Sequence, residues 1–139
     1  MKSKILILLL IFTFSVNGQT CDKYVKACED TVKAQDIAID NLKPYMDRFE
    51  FMKMSSENAI KSFAPGSVDY VFVDGDHSYD ATIADCELYY PFLKKGGIFC
   101  GHDYQALESV KKAVDDFRTK NKITAPINLT LNSAFFWNK

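Results

Sequence analysis

VDYVFVDGDHSYDATIADCELYYPFLKKGGIFCGHD, residues 68–103, reads as strand, acidic turn, helix, Gly-Gly turn, strand and second acidic turn. The apolar run Tyr70-Val71-Phe72-Val73 stops abruptly at Asp74-Gly75-Asp76-His77, and Ile98-Phe99-Cys100-Gly101 stops at His102-Asp103. The absence of polar alternation from Val68 to Val73 predicts a strand covered on both faces, as in a parallel sheet. Two strands thus end in acid or imidazole. In an open α/β sheet the crevice outside the carboxyl ends of the strands is where ligands bind, so these residues stand where a substrate or metal would sit.

The neighbouring segments fit the same plan. Ser78 is placed to cap the intervening helix, with Asp80 in the first turn against the positive end of the helix dipole. Tyr79, Ile83, Cys86 and Tyr90 are its expected apolar face, and after Pro91 the pair Gly96-Gly97 turns the chain into the strand Ile98 to Gly101. Leu107, Val110, Val114 and Phe117 predict a further helix, with Lys111 and Asp115 four apart on its wet side. Ile127 to Leu131 and Ala134 to Trp137, separated by Asn132-Ser133, predict a closing hairpin. Upstream, Val25, Cys28, Val32, Ile39 and Leu42 mark one face of a helix over Cys21 to Leu42, closed by Pro44. Phe49 to Met54 reads as a short strand, and Ser55-Ser56-Glu57 starts a brief helix through Phe63 with hydroxyl groups at its cap. Pro65-Gly66 is the next turn. Strands alternating with helices give an α/β class: a partial doubly wound, Rossmann-like sheet, mostly parallel, with an antiparallel hairpin at one edge.

The chain has 139 residues, one domain at most; 47% are hydrophobic and 25% charged, the balance of a globular protein. A net charge of -1 supplies no basic stripe for a polyanion, so no nucleic-acid partner is expected. Lys2 and Lys4 precede an unbroken apolar run from Ile5 to Phe14, and Val16-Asn17-Gly18 follows with small residues. That order is the pattern of a secretory leader cut near Gly18, leaving residues 19–139 as the α/β domain. The run also suits a first strand buried on both faces. It is shorter than the roughly 20 apolar residues that span a bilayer. With the leader the expected location is the secretory pathway or outside the cell, and without it the cytoplasm. Cys21 and Cys28, seven apart on one helix, are too far separated to bridge. Cys86 and Cys100 read as small buried hydrophobes. In an oxidising compartment Asn128-Leu129-Thr130 is an acceptor for glycosylation.

Asp74, Asp76, His77, His102 and Asp103 form the one concentrated polar constellation at strand ends. Converging carboxylates suit a hard cation such as magnesium, and an imidazole in the shell widens the choice to manganese, iron or zinc. A carboxylate or imidazole there could instead act as a general base on a hydroxyl. Asp76 also suits a turn, and His77 a cap at the helix start. Asp74 is the strongest functional candidate, because an acid at the tip of a buried strand is costly unless its charge is used. Ser55 and Ser56 face the same edge, with helix capping as their competing role. Tyr89, Tyr90, Phe135, Phe136 and Trp137 read as packing.

The segment DYVFVDGDHSYDATIADCELYYPFLKKGGIFCGHDY, followed by SVKKAVDDFR, resembles the block shared by class I S-adenosylmethionine-dependent methyltransferases, in particular small-molecule O-methyltransferases of the macrocin type. NLKPYMDRFEFMKMSSENAI, residues 41–60, is more weakly similar to the family's helix, third strand and adenine-side loop. The resemblance implies that Asp74 serves the metal or takes the substrate proton. His102 and Asp103 match the acid pair completing the metal site in the metal-dependent branch, with a histidine in place of the first acid. It also implies that Ser55 and Ser56 match the loop near the adenine, Ser55 replacing an acid often found there, and that Asp74 and His77 border the cofactor. The family's Gly-rich turn after its first strand, and the acid after its second, have no counterpart in residues 1 to 45. Gly18 is the one glycine before Gly66, so the domain reads as N-terminally incomplete.

Three functions follow from these readings. The first is a methyltransferase acting on a small hydroxylated molecule, with Asp74 or His102 as base, S-adenosylmethionine as cofactor and Mg2+ or another divalent cation as a further ligand. The second is a non-catalytic secreted or membrane-associated remnant whose incomplete sheet associates with a copy of itself or another chain. The third, a metal-dependent hydrolase, lacks a nucleophile elbow or phosphate loop.

Overall fold

A computed structural model describes residues 5–7 by their backbone, 33, 36, 37, 40, 41, 43–45, 52 and 54–139. Two compact units divide the chain: Met1–Phe12 with Met52–Lys139, and Thr13–Phe51. In the second unit Lys33, Asp36, Ile37, Asp40 and Asn41 are helical, and Lys43–Tyr45 form a 3-10 turn around Pro44. This agrees with a helix closed by that proline. Cys21, Cys28 and the apolar face assigned to this helix lie outside the described residues.

The first unit is built on a sheet of five described strands: β1 (Ile5–Ile7), β2 (Val68–Val73), β3 (Leu93–Gly101), β4 (Asn128–Leu129) and β5 (Phe135–Asn138), in the order β1-β2-β3-β5-β4. β1 is parallel to β2 and β2 to β3, while β5 runs antiparallel to β3 and to β4. Ile5–Ile7 therefore occupy a strand position, as in one of the readings open to that apolar run. Three described helices accompany the sheet: α1 (Ser56–Ala59), α2 (Tyr79–Tyr89) and α3 (Glu108–Lys120). Among the described residues no helix is long and apolar enough to cross a membrane.

Register explains the core. Val71 pairs with Phe99 and Phe99 with Trp137, and Val73 pairs with Gly101 and Gly101 with Phe135, so two cross-strand rows share one face. Phe99, Phe135 and Trp137 in these rows are fully buried with Cys86 and Tyr89 of α2 and Val114 and Phe117 of α3. Phe99 lies 4.9 Å from Trp137, and Tyr90 stands edge-on to Phe99 at 5.6 Å and to Phe117 at 5.3 Å, measured between ring centroids. The aromatics are packing residues, as the sequence predicts. Gly101 makes room for this layer, since a Cβ there would meet the Val73 carbonyl at 2.5 Å and the Phe135 ring at 2.7 Å. Cys86 and Cys100 are free buried thiols, and burial pushes Cys100 up to about 11.

Several boundaries differ from expectation. Of the strand expected over Phe49 to Met54, Met52 and Met54 are not in a strand, the chain turning there with Met54 N–H donating to the Met52 carbonyl at 3.1 Å, and the remainder lies outside the described residues. Ser55 precedes α1 without a side-chain capping bond. The Glu57 backbone N–H, and then the Ser55 side chain, hold the exposed Glu57 carboxyl below its ordinary range. α2 buries Thr82, Asp85, Cys86 and Tyr89, whereas Tyr79, Ile83 and Tyr90 are only partly covered; the inward face is turned about one residue from the apolar spacing. Gly96 and Gly97 interrupt β3 rather than precede it: the strand starts at Leu93, and its register against β2 shifts between Val68 and Tyr70. Gly96 holds φ 81, a conformation that glycine adopts without steric cost. Leu107 is exposed, and Ala113 completes the buried face of α3.

Candidate functional site

Strand pairing assembles the site. Because β2 and β3 are parallel with Val73 opposite Gly101, the next residues along each, Asp74 and His102, emerge side by side. His102 N–H donates to the Val73 carbonyl at 3.2 Å, extending the ladder to the turn. One ligand atom each from Asp74, His102 and Asp103 lie within 4.8 Å of one another. Two carboxylates and an imidazole at that separation fit a divalent cation that keeps open positions for water or substrate.

His77 joins this group. Its Nε2 is 2.9 Å from Asp103 Oδ2 and 3.5 Å from Asp74 Oδ1, while His102 Nδ1 is 3.1 Å from Asp103 Oδ1. Asp103 therefore bridges two imidazoles. A carboxylate on one side of an imidazole fixes the ring's orientation. The turn carrying His77 is braced from three directions. Asp76 Oδ1 accepts from Ser78 N–H at 2.8 Å, Ser78 Oγ accepts from Ala81 N–H at 3.3 Å, and Ser109 of α3 donates to the His77 carbonyl at 2.7 Å. Asp76 and Ser78 are thus turn and cap. His77 is more than a cap, although adjacency to Ser78 in the sequence could not reveal that.

Asp103 adopts φ 60, in the left-handed region. Its carbonyl accepts from Ala106 N–H at 3.1 Å and Leu107 N–H at 2.9 Å, forming the turn into α3. Asparagine and aspartate tolerate this region better than other side chains, yet glycine would adopt it more cheaply. An aspartate kept there presents its carboxylate between the two histidines.

Ser55 and Ser56 do not enter this cluster. Ser56 is 7% exposed and Asp85 8% exposed. Burial raises the Asp85 carboxyl above its usual range, Ser56 opposes this, and the charges of Glu57 and Asp76 add to the rise. Sequence reading missed Asp85. Its signal was an acid at an inward position of α2, three residues after Thr82 and one before Cys86. For S-adenosylmethionine the fit is partial. The strand-end acids and the α1 loop are in place, and residues 1–65, with Gly18 as their one glycine, offer no Gly-rich turn for the methionine end.

The Methyltransferase domain family matches residues 13–104, well over half of the chain. An uncharacterised protein of Acanthamoeba polyphaga mimivirus is 38% identical over 61 residues, spanning 39% of this chain and 28% of the viral protein. A crystal structure from Corynebacterium glutamicum is similar over 80% of this chain and 56% of its own, with 16% identity and a TM-score of 0.58. The O-methyltransferase NovP is similar over 72% of this chain and 42% of its own, with 23% identity and a TM-score of 0.49. The chain therefore spans little more than a quarter of the curated relative and about half of these solved proteins. The family match, on an α/β sheet whose parallel strands end in this acid and imidazole cluster, places the chain in the class I S-adenosylmethionine-dependent methyltransferase family.

Proposed function

We propose that this chain carries the acceptor side of an O-methyltransferase that modifies a small hydroxylated molecule. The observation that carries the reading is the convergence of Asp74, His77, His102 and Asp103 at the ends of two adjacent parallel strands. S-adenosylmethionine, when bound, supplies an electrophilic methyl carbon on a sulfonium. The chain's own residues prepare the nucleophile. Asp74, His102 and Asp103 are the donor set for a divalent cation such as Mg2+, which would lower the pKa of a coordinated hydroxyl. His77, steadied by Asp103, is placed to take the hydroxyl proton as the oxygen–methyl bond forms and the sulfur–methyl bond breaks. With no cation in the site, Asp74 and His102 are themselves the bases within reach.

Ser55 and Ser56 belong to the adenine side in this reading, through the loop they shape more than through their hydroxyls. A second reading has one specific observation behind it. Residues 1–65 hold one glycine, Gly18, so this stretch supplies no Gly-rich cradle for the methionine end of the cofactor, and the second reading is a non-catalytic domain or one whose cradle comes from elsewhere.

The test is transfer of a labelled methyl group from S-adenosylmethionine to a panel of catechols, sugars and other hydroxylated small molecules, with and without Mg2+. The proposal expects labelled product, stimulated by the cation and lowered about 100-fold or more by His77→Ala, within the range of general-base losses. Absence of transfer to every acceptor by a folded sample that binds the cofactor would favour the non-catalytic reading.

A further inference from the structure

We propose that α3 is the frame that holds His77 against Asp103, with Ser109 and Asp116 as positioning residues for the base of methyl transfer. The inference rests on the reading of His77 as that base.

The bond between His77 Nε2 and Asp103 Oδ2, at 2.9 Å, joins turns that leave two different strands. Burial does not hold the ring in place, since the His77 side chain is 44% exposed. A half-exposed ring keeps one orientation only where its backbone and its partner are both fixed, because each free rotamer it gains is favoured by entropy. α3 fixes both. Val110, Ala113, Val114 and Phe117 bury one stripe of this helix, so its own position is set by the core.

Two residues on another stripe reach the His77 turn. Ser109 Oγ donates to the His77 carbonyl at 2.7 Å, and Asp116 Oδ2 accepts from the Tyr79 hydroxyl at 2.9 Å. Ser109 and Asp116 lie about two helical turns apart and so share one face. Lys112 stands between them, bonding the same Asp116 oxygen at 2.6 Å, with its Nζ 4.4 Å from the centroid of the Tyr79 ring. Asp103 is tied to the same helix. Its carbonyl forms the turn into α3, and its neighbour Tyr104 donates a hydroxyl to Asp115 Oδ1 at 2.7 Å. Adjacent helix positions point about 100° apart, so Asp115 and Asp116 serve the two turns separately.

The consequence is chemical. With Asp103 accepting from Nε2, the neutral His77 ring carries its proton there and leaves Nδ1 to accept the proton of the substrate hydroxyl. A released turn would let the ring exchange this tautomer for the other, and a ring protonated on Nδ1 has no acceptor to offer at that atom.

The experiment uses the full chain with Ser109→Ala, Tyr79→Phe and Asp116→Ala. Two conservative variants accompany them: Ser109→Thr, which keeps a hydroxyl, and Asp116→Asn, whose amide oxygen can still accept from Tyr79. Asp103→Gly marks the fully released ring. The sequence has two histidines, so His102→Asn suffices to assign the ring nitrogens of His77. These nitrogen resonances are read by NMR without cofactor or cation, at a pH where the ring is neutral, on samples that melt cooperatively. Methyl transfer gives kcat and KM on the same samples. The expected result is that Ser109→Ala, Tyr79→Phe and Asp116→Ala each move the His77 nitrogens by about half or more of the Asp103→Gly displacement, toward a mixture of tautomers. Their kcat should fall about tenfold, the size of one well-placed hydrogen bond, with the KM for S-adenosylmethionine unchanged. Ser109→Thr and Asp116→Asn should stay within about twofold of the unaltered chain. His77 nitrogens that do not move in folded Ser109→Ala and Asp116→Ala would overturn the positioning role while leaving the methyltransferase reading intact. If the unaltered chain transfers no methyl group, the functional reading falls, whereas the His77 nitrogens still decide whether α3 holds the ring.

Discussion

Asp103 concentrates two demands on one residue: a left-handed backbone, which favours glycine, and a carboxylate shared by His77 and His102. The two demands can be separated. Asp103→Gly should keep or slightly raise the melting temperature, whereas Asp103→Ala should lose about 1 kcal/mol to the strained backbone. Both should lose methyl transfer together, and equal melting of the two would remove the strain argument. Asp85 makes a prediction of opposite character. Burial raises its folded carboxyl pKa, so the folded chain holds this proton more tightly than the unfolded chain does. The associated stability is present at pH below the usual carboxylate range and is lost as pH rises through the raised value. Asp85→Asn should therefore melt higher than the unaltered chain at pH 7, with the gap closing toward pH 3; a gap independent of pH would show that Asp85 titrates normally. Asp74, His102 and Asp103 were legible in the sequence because each interrupts an apolar run at a strand end. His77 was only half legible, since its bond to Asp103 joins residues 26 apart that strand pairing alone brings together. Asp85 was not legible, because an acid on a helix is ordinarily counted on the wet face.

At the scale of elements, the packing of β3 against β5 depends on an empty volume at Gly101. A methyl group there meets backbone on one side and the buried Phe135 ring on the other, and neither can withdraw without parting the strands. Gly101→Ala should cost about 2 to 3 kcal/mol, the upper range for overpacking, read as a fall in the urea midpoint. A loss below 0.5 kcal/mol would mean that the β3 and β5 pairing is looser than described. β2, α2, α3 and the hairpin were legible from apolar period and turn residues. The inward face of α2 was misjudged by about one residue because Thr82 and Asp85 are polar yet buried. The start of β3 was misjudged because Gly96-Gly97, ordinarily a terminator, here lies inside a strand as an irregularity. The Ile5–Ile7 strand had a rival in the leader because an unbroken apolar run satisfies both the translocation machinery and a doubly covered strand.

For the whole molecule, the family and the strand-end cluster of Asp74, His102 and Asp103 follow from the chain order of strands, helices and strand-end acids, and these were the parts most fully written in residues 68–118. The cofactor side is the part least written there: the sequence has no Gly-rich turn before Gly66, and the chain covers 28% of its curated relative. The central claim is that this chain nevertheless binds S-adenosylmethionine beside a cation held by Asp74, His102 and Asp103. Calorimetric titration of the full chain with S-adenosylmethionine, with and without Mg2+ and with Asp74→Ala as control, tests it directly. The account predicts a micromolar dissociation constant, about −8 kcal/mol of binding free energy, and an Mg2+ heat that disappears in Asp74→Ala. A cooperatively folded sample with no heat of binding for either ligand would contradict it and reduce the methyltransferase relationship to ancestry.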